Sequence, residues 1–144
     1  MLRVFMDADV LFAGAASGSE HPASLVVLRL AEITLVEAIV STQVLVEVER
    51  NLAAKLPAAL PVFQTLAQRC LHVVPDPPPD AVTRHHGAAV PKDLPLLVAA
   101  HRGHCRYLVT YNVRHFRPGL PDVQVLRPGD LVARMREWLV FLDG

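Results

Sequence analysis

The sequence predicts an α/β fold: a three-layer α/β/α sandwich around a central, mainly parallel sheet of four to five strands, with residues 1–144 forming a single domain. Three observations lead there. Short apolar runs alternate along the chain with amphipathic helical stretches, as in strands that pair in parallel through helical crossovers. The first run is almost continuously apolar, as a strand covered on both faces is. The chain has 144 residues, 52% of them hydrophobic, and a mean hydropathy of +0.33. That is enough to bury a core without disulfide or metal staples.

Leu2–Met6, broken only by Arg3, is the first strand. Asp9 can cap a helix running to about Ala16. Ser17–Glu20 is a turn, and His21–Ala31 carries Leu25, Val26, Leu28 and Leu30 on a helical pattern. Thr34–Val40 is the second strand. Ser41 or Thr42 caps the next helix, Gln43 to about Leu56, where Val44, Leu45, Val48 and Leu52 form one stripe. Pro57 breaks that helix and Pro61 opens another ending near Arg69. Leu71–Val74 is a short strand, and Pro75–Asp80 forces an extended loop because proline fixes φ and removes donors. Ala81–Ala89 amounts to one helical turn. Asp93–His101 is helical, with Pro95 tolerated in the first turn. Arg106–Thr110 is a strand, Asn112–Phe116 a short helical turn and Val123–Leu126 the last strand. Asp130–Leu142 closes the chain as a helix with Leu131, Met135, Trp138 and Leu142 along one face.

The 14 basic and 14 acidic residues cancel, which argues against a general nucleic-acid glue. Their distribution is uneven. Leu94 to Pro121 contains no acid but includes Arg102, Arg106, Arg114 and Arg117 with His101, His104 and His115, a candidate phosphate-contacting patch. No apolar run approaches a membrane span, and the start does not read as a secretory signal. Cys70 and Cys105 form neither a disulfide framework nor a metal spacing, so a reduced, cytoplasmic setting is expected. Cys70 reads as a buried apolar residue. His85-His86 and the trio His101, His104 and Cys105 lack the pairing of a zinc site. No Gly-rich phosphate loop, nucleophile elbow or dinucleotide fingerprint is present. The surplus apolar content points to a self-association face or a partner groove.

The acids carry the chemistry. Asp7 ends the first strand, where open α/β sheets place their ligands, and a buried charge there needs a partner or a metal. Asp9 suits a helix cap. Glu47 and Glu49 flank opposite sides of the apolar stripe of their helix, and periodicity does not choose between them. Asp93 stands on the inner face with Leu96, Leu97 and Ala100, as an N-cap or a site residue. Asn112, two residues beyond a strand, can cap the turn after it or offer an uncharged oxygen. Clustered carboxylates need a cation, and an oxygen-only set selects Mg²⁺ or Mn²⁺ over zinc. Such a centre can hydrolyse phosphodiesters.

With these residues in view, the chain resembles the PIN-domain ribonucleases over nearly its whole length. The matching stretches are VFMDADVLF, STQVLVEVERNL and KDLPLLVAAHRGHCRYLVTYNVRHF, followed by a strand and helix. The resemblance implies a metal-dependent endoribonuclease. It implies Asp7, Glu47 (over Glu49) and Asp93 as metal-holding catalytic residues and Asn112 in the fourth catalytic position. Many members carry Asp there, so the charge of the site is lower. Asp9 and Thr110 support it, and Arg102, Arg114 and Arg117 bring RNA to it. Small members look like the toxins of bacterial toxin–antitoxin pairs, which implies an antitoxin partner and a homodimer. Two alternatives remain. One is a non-catalytic RNA- or protein-binding module on the same fold. The other is a haloacid-dehalogenase-like phosphatase, which Asp7-Ala-Asp9 mimics but which requires a lysine and a later acidic pair.

Overall fold

The computed structural model describes residues 1–16, 27, 29–31 and 35–143, with side chains described as far as Trp138. Ser17–Glu20, most of His21–Ala31 and the start of the second expected strand lie outside the described residues.

Five strands, β1 (Leu2–Met6), β2 (Val36–Ser41), β3 (Leu71–Val74), β4 (Tyr107–Val109) and β5 (Gln124–Leu126), form one sheet in the order β3-β2-β1-β4-β5. Every neighbouring pair is parallel. Helices cover both faces: α1 (Ala8–Ala16), α2 (Thr42–Lys55), α3 (Leu60–Cys70), α4 (Pro79–Thr83), α5 (Leu94–Arg102) and α6 (Pro128–Asp143). This is the expected three-layer α/β/α sandwich. The chain builds outward from β1 through β2 to β3, then crosses back to β4 and β5 on the other side. The reversal leaves a crevice beyond the carboxyl ends of β1 and β4, where sheets of this kind place ligands.

Burial explains the composition of each element. Val4, Phe5 and Met6 of β1 are fully buried, as a strand in the middle of the sheet requires. Arg3 escapes at the amino end of the strand. It donates from Nη1 to Glu37 at 2.9 Å, its register partner on β2, and from Nε to the Gly103 carbonyl at 2.8 Å. Val44, Val48 and Leu52 of α2 are fully buried, while Leu45 is only partly so. In α6, Leu131 and Met135 are buried but Trp138 remains 38% exposed.

Three local expectations are corrected. Asp9 does not cap α1, which begins one residue earlier, at Ala8. Asp7 serves that end, its carbonyl accepting from Leu11 N–H at 3.3 Å and its Oδ1 from Ala8 N–H at 2.7 Å. Ser41 holds the N-cap position of α2, but its side chain makes no cap bond, and Thr42 lies inside the helix. Asp76, from the proline loop, accepts from Gln43 N–H at 2.9 Å instead. That bond ties the loop to the helix and satisfies one of its free amino-terminal donors. Cys70 is only half-buried, since it closes α3 where the chain turns into the edge strand β3, whereas Cys105 is buried.

The core predicts a clear asymmetry. Leu97→Ala, at a fully buried position of α5, should cost about 2–5 kcal/mol in a urea unfolding series. Val62→Ser, at an exposed position of α3, should change stability by less than ~0.5 kcal/mol.

Candidate active site

The register of the three central strands builds the site. Met6 lies opposite Val109, and the Asp7 N–H continues the ladder to the Val109 carbonyl at 3.0 Å. Asp7 and Thr110 therefore come abreast, just past their strands. On the other side Phe5 lies opposite Ile39, so two residues further on Asp7 comes abreast of Ser41. Asp7, Ser41 and Thr110 are the buried polar or charged residues among those described, at 8%, 1% and 0% exposure. One row of adjacent strand ends thus gathers them all.

The turn after β4 holds the acids. Thr110 Oγ1 donates to Asp7 Oδ2 at 2.8 Å and lies 3.4 Å from Asp9 Oδ2, while itself accepting the Asn112 N–H at 3.0 Å. Asp9 Oδ2 also accepts from Tyr111 N–H at 3.0 Å and from Asn112 Nδ2 at 3.1 Å. The Asn112 side chain makes no cap bond to the 3₁₀ turn Val113–Phe116 that follows it. Its amide is spent on Asp9.

Asp93 directly precedes α5, but its side chain makes no cap bond either. Its carboxylate, with the side chain only 14% exposed, accepts from His115 Nδ1 at 3.0 Å. The His115 carbonyl also accepts the Val90 N–H at 2.8 Å. One residue of the 3₁₀ turn therefore pins both the loop before Asp93 and Asp93 itself. Sequence periodicity contains no signal for this partnership. The closeness of His115 to Asn112 in the chain is the only hint.

Electrostatics follow from this crowding. Asp7 is pushed up to about 7, first by burial, then by the Asp9 charge, with Asp93 adding to it; the bonds from Thr110 and Ala8 pull the other way. Asp9 is also raised, first by burial and further by Asp93, against the bonds it accepts. Asp9 Oδ1 and Ser41 Oγ are buried without a hydrogen-bond partner. Each such group costs about 1–3 kcal/mol unless something occupies its open side.

Crowded carboxylates with an open buried oxygen fit a hard divalent cation, and the donors here are oxygens, as Mg²⁺ or Mn²⁺ requires. Asp7 and Asp9 are the two acids brought together at the Thr110 hydroxyl. Among the described residues, no three His, Cys, Asp or Glu side chains are grouped to grip one ion. The trio Asp7, Glu47 and Asp93 expected from the resemblance is thus not gathered around one point.

The remaining candidates are dispersed. Glu47 lines a cavity of about 480 Å³ with Asp9 and Tyr111. Glu49 lines a different one, with Gln64 and Gln68 of α3. Arg114 and Arg117 are exposed in and just after the 3₁₀ turn, on the chain segment that follows Asn112. Arg102 ends α5, nine residues and about 13 Å along the axis from Asp93. Arg106 precedes β4 and donates its N–H to the Arg3 carbonyl at 3.1 Å. The basic run is therefore divided, and Arg102 does not stand with the acids.

A PIN domain family model matches residues 3–114. No curated protein matches the chain. Among solved structures, VapBC2 from Rickettsia felis bound to a DNA fragment from their promoter is similar, with TM-score 0.63 and 14% identity; the match covers 88% of this chain and 98% of that one. Among the described residues no helix is long and apolar enough to cross a membrane.

The raised Asp7 gives a pH prediction. Its folded value, about 7, lies above the ordinary 3.8, so the native state binds the proton more tightly. The associated stability is present below about pH 4 and is lost as pH rises through 7. In EDTA, thermal melts from pH 4.5 to 8 should show a falling midpoint for the wild type and a flatter profile for Asp7→Asn. Equal slopes would mean that Asp7 is not the titrating group.

Proposed function

This chain belongs to the PIN domain family, and from that premise we propose that it is a Mg²⁺- or Mn²⁺-dependent endoribonuclease, acting in the cytoplasm as the toxin of a toxin–antitoxin pair. The observation that carries this reading is the buried Asp7 beside the half-buried Asp9 at the sheet reversal, the Oδ1 of Asp9 being without a hydrogen-bond partner. Asp7 and Asp9 would hold the ion, with Asp93 and Glu47 extending the acidic wall in place of the metal-holding roles that the resemblance implies for them. Bound there, the ion supplies Lewis-acid stabilisation of the charge that develops during phosphodiester hydrolysis.

The chain's own residues prepare that chemistry. Thr110 fixes the orientation of Asp7, and the Tyr111 and Asn112 donors fix that of Asp9. Asn112 occupies its place without adding a fourth negative charge, which eases approach of an RNA backbone. Arg114 and Arg117 draw that backbone in by contacts to its phosphates. His115 keeps the Asp93 carboxylate turned away from its own helix. The structural likeness to VapBC2 supports an antitoxin as partner, and a homodimer accommodates the apolar surface.

A second reading, a non-catalytic RNA-binding module, draws on the lack of a three-ligand group among the described residues. One experiment separates the two: incubation of the purified chain with a structured RNA across a Mg²⁺ and Mn²⁺ titration. Cleavage should require the metal. Asp7→Asn and Asp9→Asn should each lower kcat/KM by at least ~100-fold, and Asp93→Asn and Thr110→Val by less. Cleavage that persists in EDTA or in both acid variants would overturn the nuclease reading. RNA binding without cleavage at every metal concentration would favour the second.

A further inference from the structure

Beside the acids, between α1, α2 and the turn after β4, lies the cavity of about 480 Å³ walled by Asp9, Phe12, Glu47, Asn51, Lys55 and Tyr111. Its construction is regular. Glu47, Asn51 and Lys55 follow one another at intervals of four along one face of α2. Ala8, Phe12 and Ala16 do the same on α1. The two alanines leave space on either side of the single large ring, and α1 and α2 are in direct contact. Lys55 Nζ lies over the Phe12 ring, 5.6 Å from its centroid. Tyr111 reaches the wall from the turn whose backbone N–H bonds Asp9.

We propose that this cavity is the subsite for a nucleobase of the RNA strand, adjoining the phosphate to be cut. The inference rests on the nuclease reading of the neighbouring acids and goes beyond it by assigning residues to base recognition. The volume falls within the range of sites that enclose small organic groups. Phe12, with Lys55 Nζ over one face of its ring, and Tyr111 supply aromatic surface beside which a base can stack. Asn51 offers both a donor and an acceptor to a base edge. Lys55 stands two helical turns, about 12 Å, from Glu47 along α2. At that distance screening separates the two charges, and the ammonium, held over the Phe12 ring, would turn toward a neighbouring phosphate when a base takes up that ring. Asp9 belongs to both the cavity and the carboxylate pair, so a base seated here places its strand across the acids.

The test uses the full chain carrying Asp7→Asn, which keeps RNA intact, and a labelled single-stranded RNA decamer in Mg²⁺. A decamer of the same sugar–phosphate backbone without bases is the control. Fluorescence anisotropy should show the base-bearing oligomer bound about tenfold more tightly. Phe12→Leu and Tyr111→Leu, made in that background, should bring the ratio toward one. Lys55→Gln should weaken both oligomers alike and reduce the salt dependence by about one phosphate contact. Equal binding of the two oligomers, or a ratio unchanged in both aromatic variants, would overturn the proposal.

A second arm reads the nucleotide at the ends of fragments produced by otherwise wild-type chains. Asn51→Leu and Phe12→Leu should flatten any preference there while lowering kcat/KM about tenfold, the loss of one base contact. Cleavage with an unaltered preference removes the base subsite and leaves the nuclease reading standing. No cleavage by the wild type removes the nuclease reading, and the anisotropy ratio alone then decides the subsite. Circular dichroism of each variant confirms that it is folded.

Discussion

The register between β1 and β4 is the constraint on which the site depends. The bond from Asp7 N–H to the Val109 carbonyl carries the parallel pairing one residue past the strands. It sets the Asp7 carboxylate within 2.8 Å of the Thr110 hydroxyl. A slip of one residue would turn Thr110 to the other face of the sheet and leave Asp7 buried without that donor. The apolar strands prevent the slip, because Val4, Phe5, Met6, Leu108 and Val109 are all fully buried and none can be exchanged for a neighbour without exposing core. Packing in the middle of the sheet thus fixes atoms at its end.

Those atoms are held at an energetic cost. A buried and a half-buried acid close together repel, and the hydrogen bonds from Thr110, Tyr111 and Ala8 offset only part of the penalty. Apart from Ala8, the donors come from a single short turn, so the geometry is local to two chain segments about a hundred residues apart. His115 performs the corresponding task for Asp93 from the same turn. The segment from Thr110 to His115 therefore contacts three acids and orients each one.

Most of the fold was legible in the sequence, because apolar runs and helical stripes report burial directly. The same logic reached Asp7, an acid at a strand's end, and Asp93, an acid on an inner face. It failed where side-chain direction depends on partners far away in the chain. Asp9 reads as a cap by type, yet the helix begins before it and three residues of the β4 turn surround its Oδ2. Ser41 also reads as a cap, and only the alignment of β2 with β1 reveals it as a buried hydroxyl beside Asp7. Glu47 and Glu49 are equivalent by period, and what separates them is that one flank of α2 meets α1 and the other α3. Arg102 falls in a continuous basic stretch, but it closes α5 and lines a cavity with Val74 and the proline loop rather than with Asp7 and Asp9.

The open edges of the sheet constrain how copies of this protein can assemble. β3 has four residues and β5 three, and an edge strand exposes backbone groups that can recruit another chain. Here Pro75 follows β3 immediately, with Pro77 and Pro78 behind it, while Pro121 and Pro128 bracket β5. An incoming strand would find only a few consecutive donors before meeting residues that have none. Growth of the sheet from molecule to molecule is thereby blocked at both ends, which protects a chain this apolar from fibrous aggregation. Any association between copies is left to the helical faces.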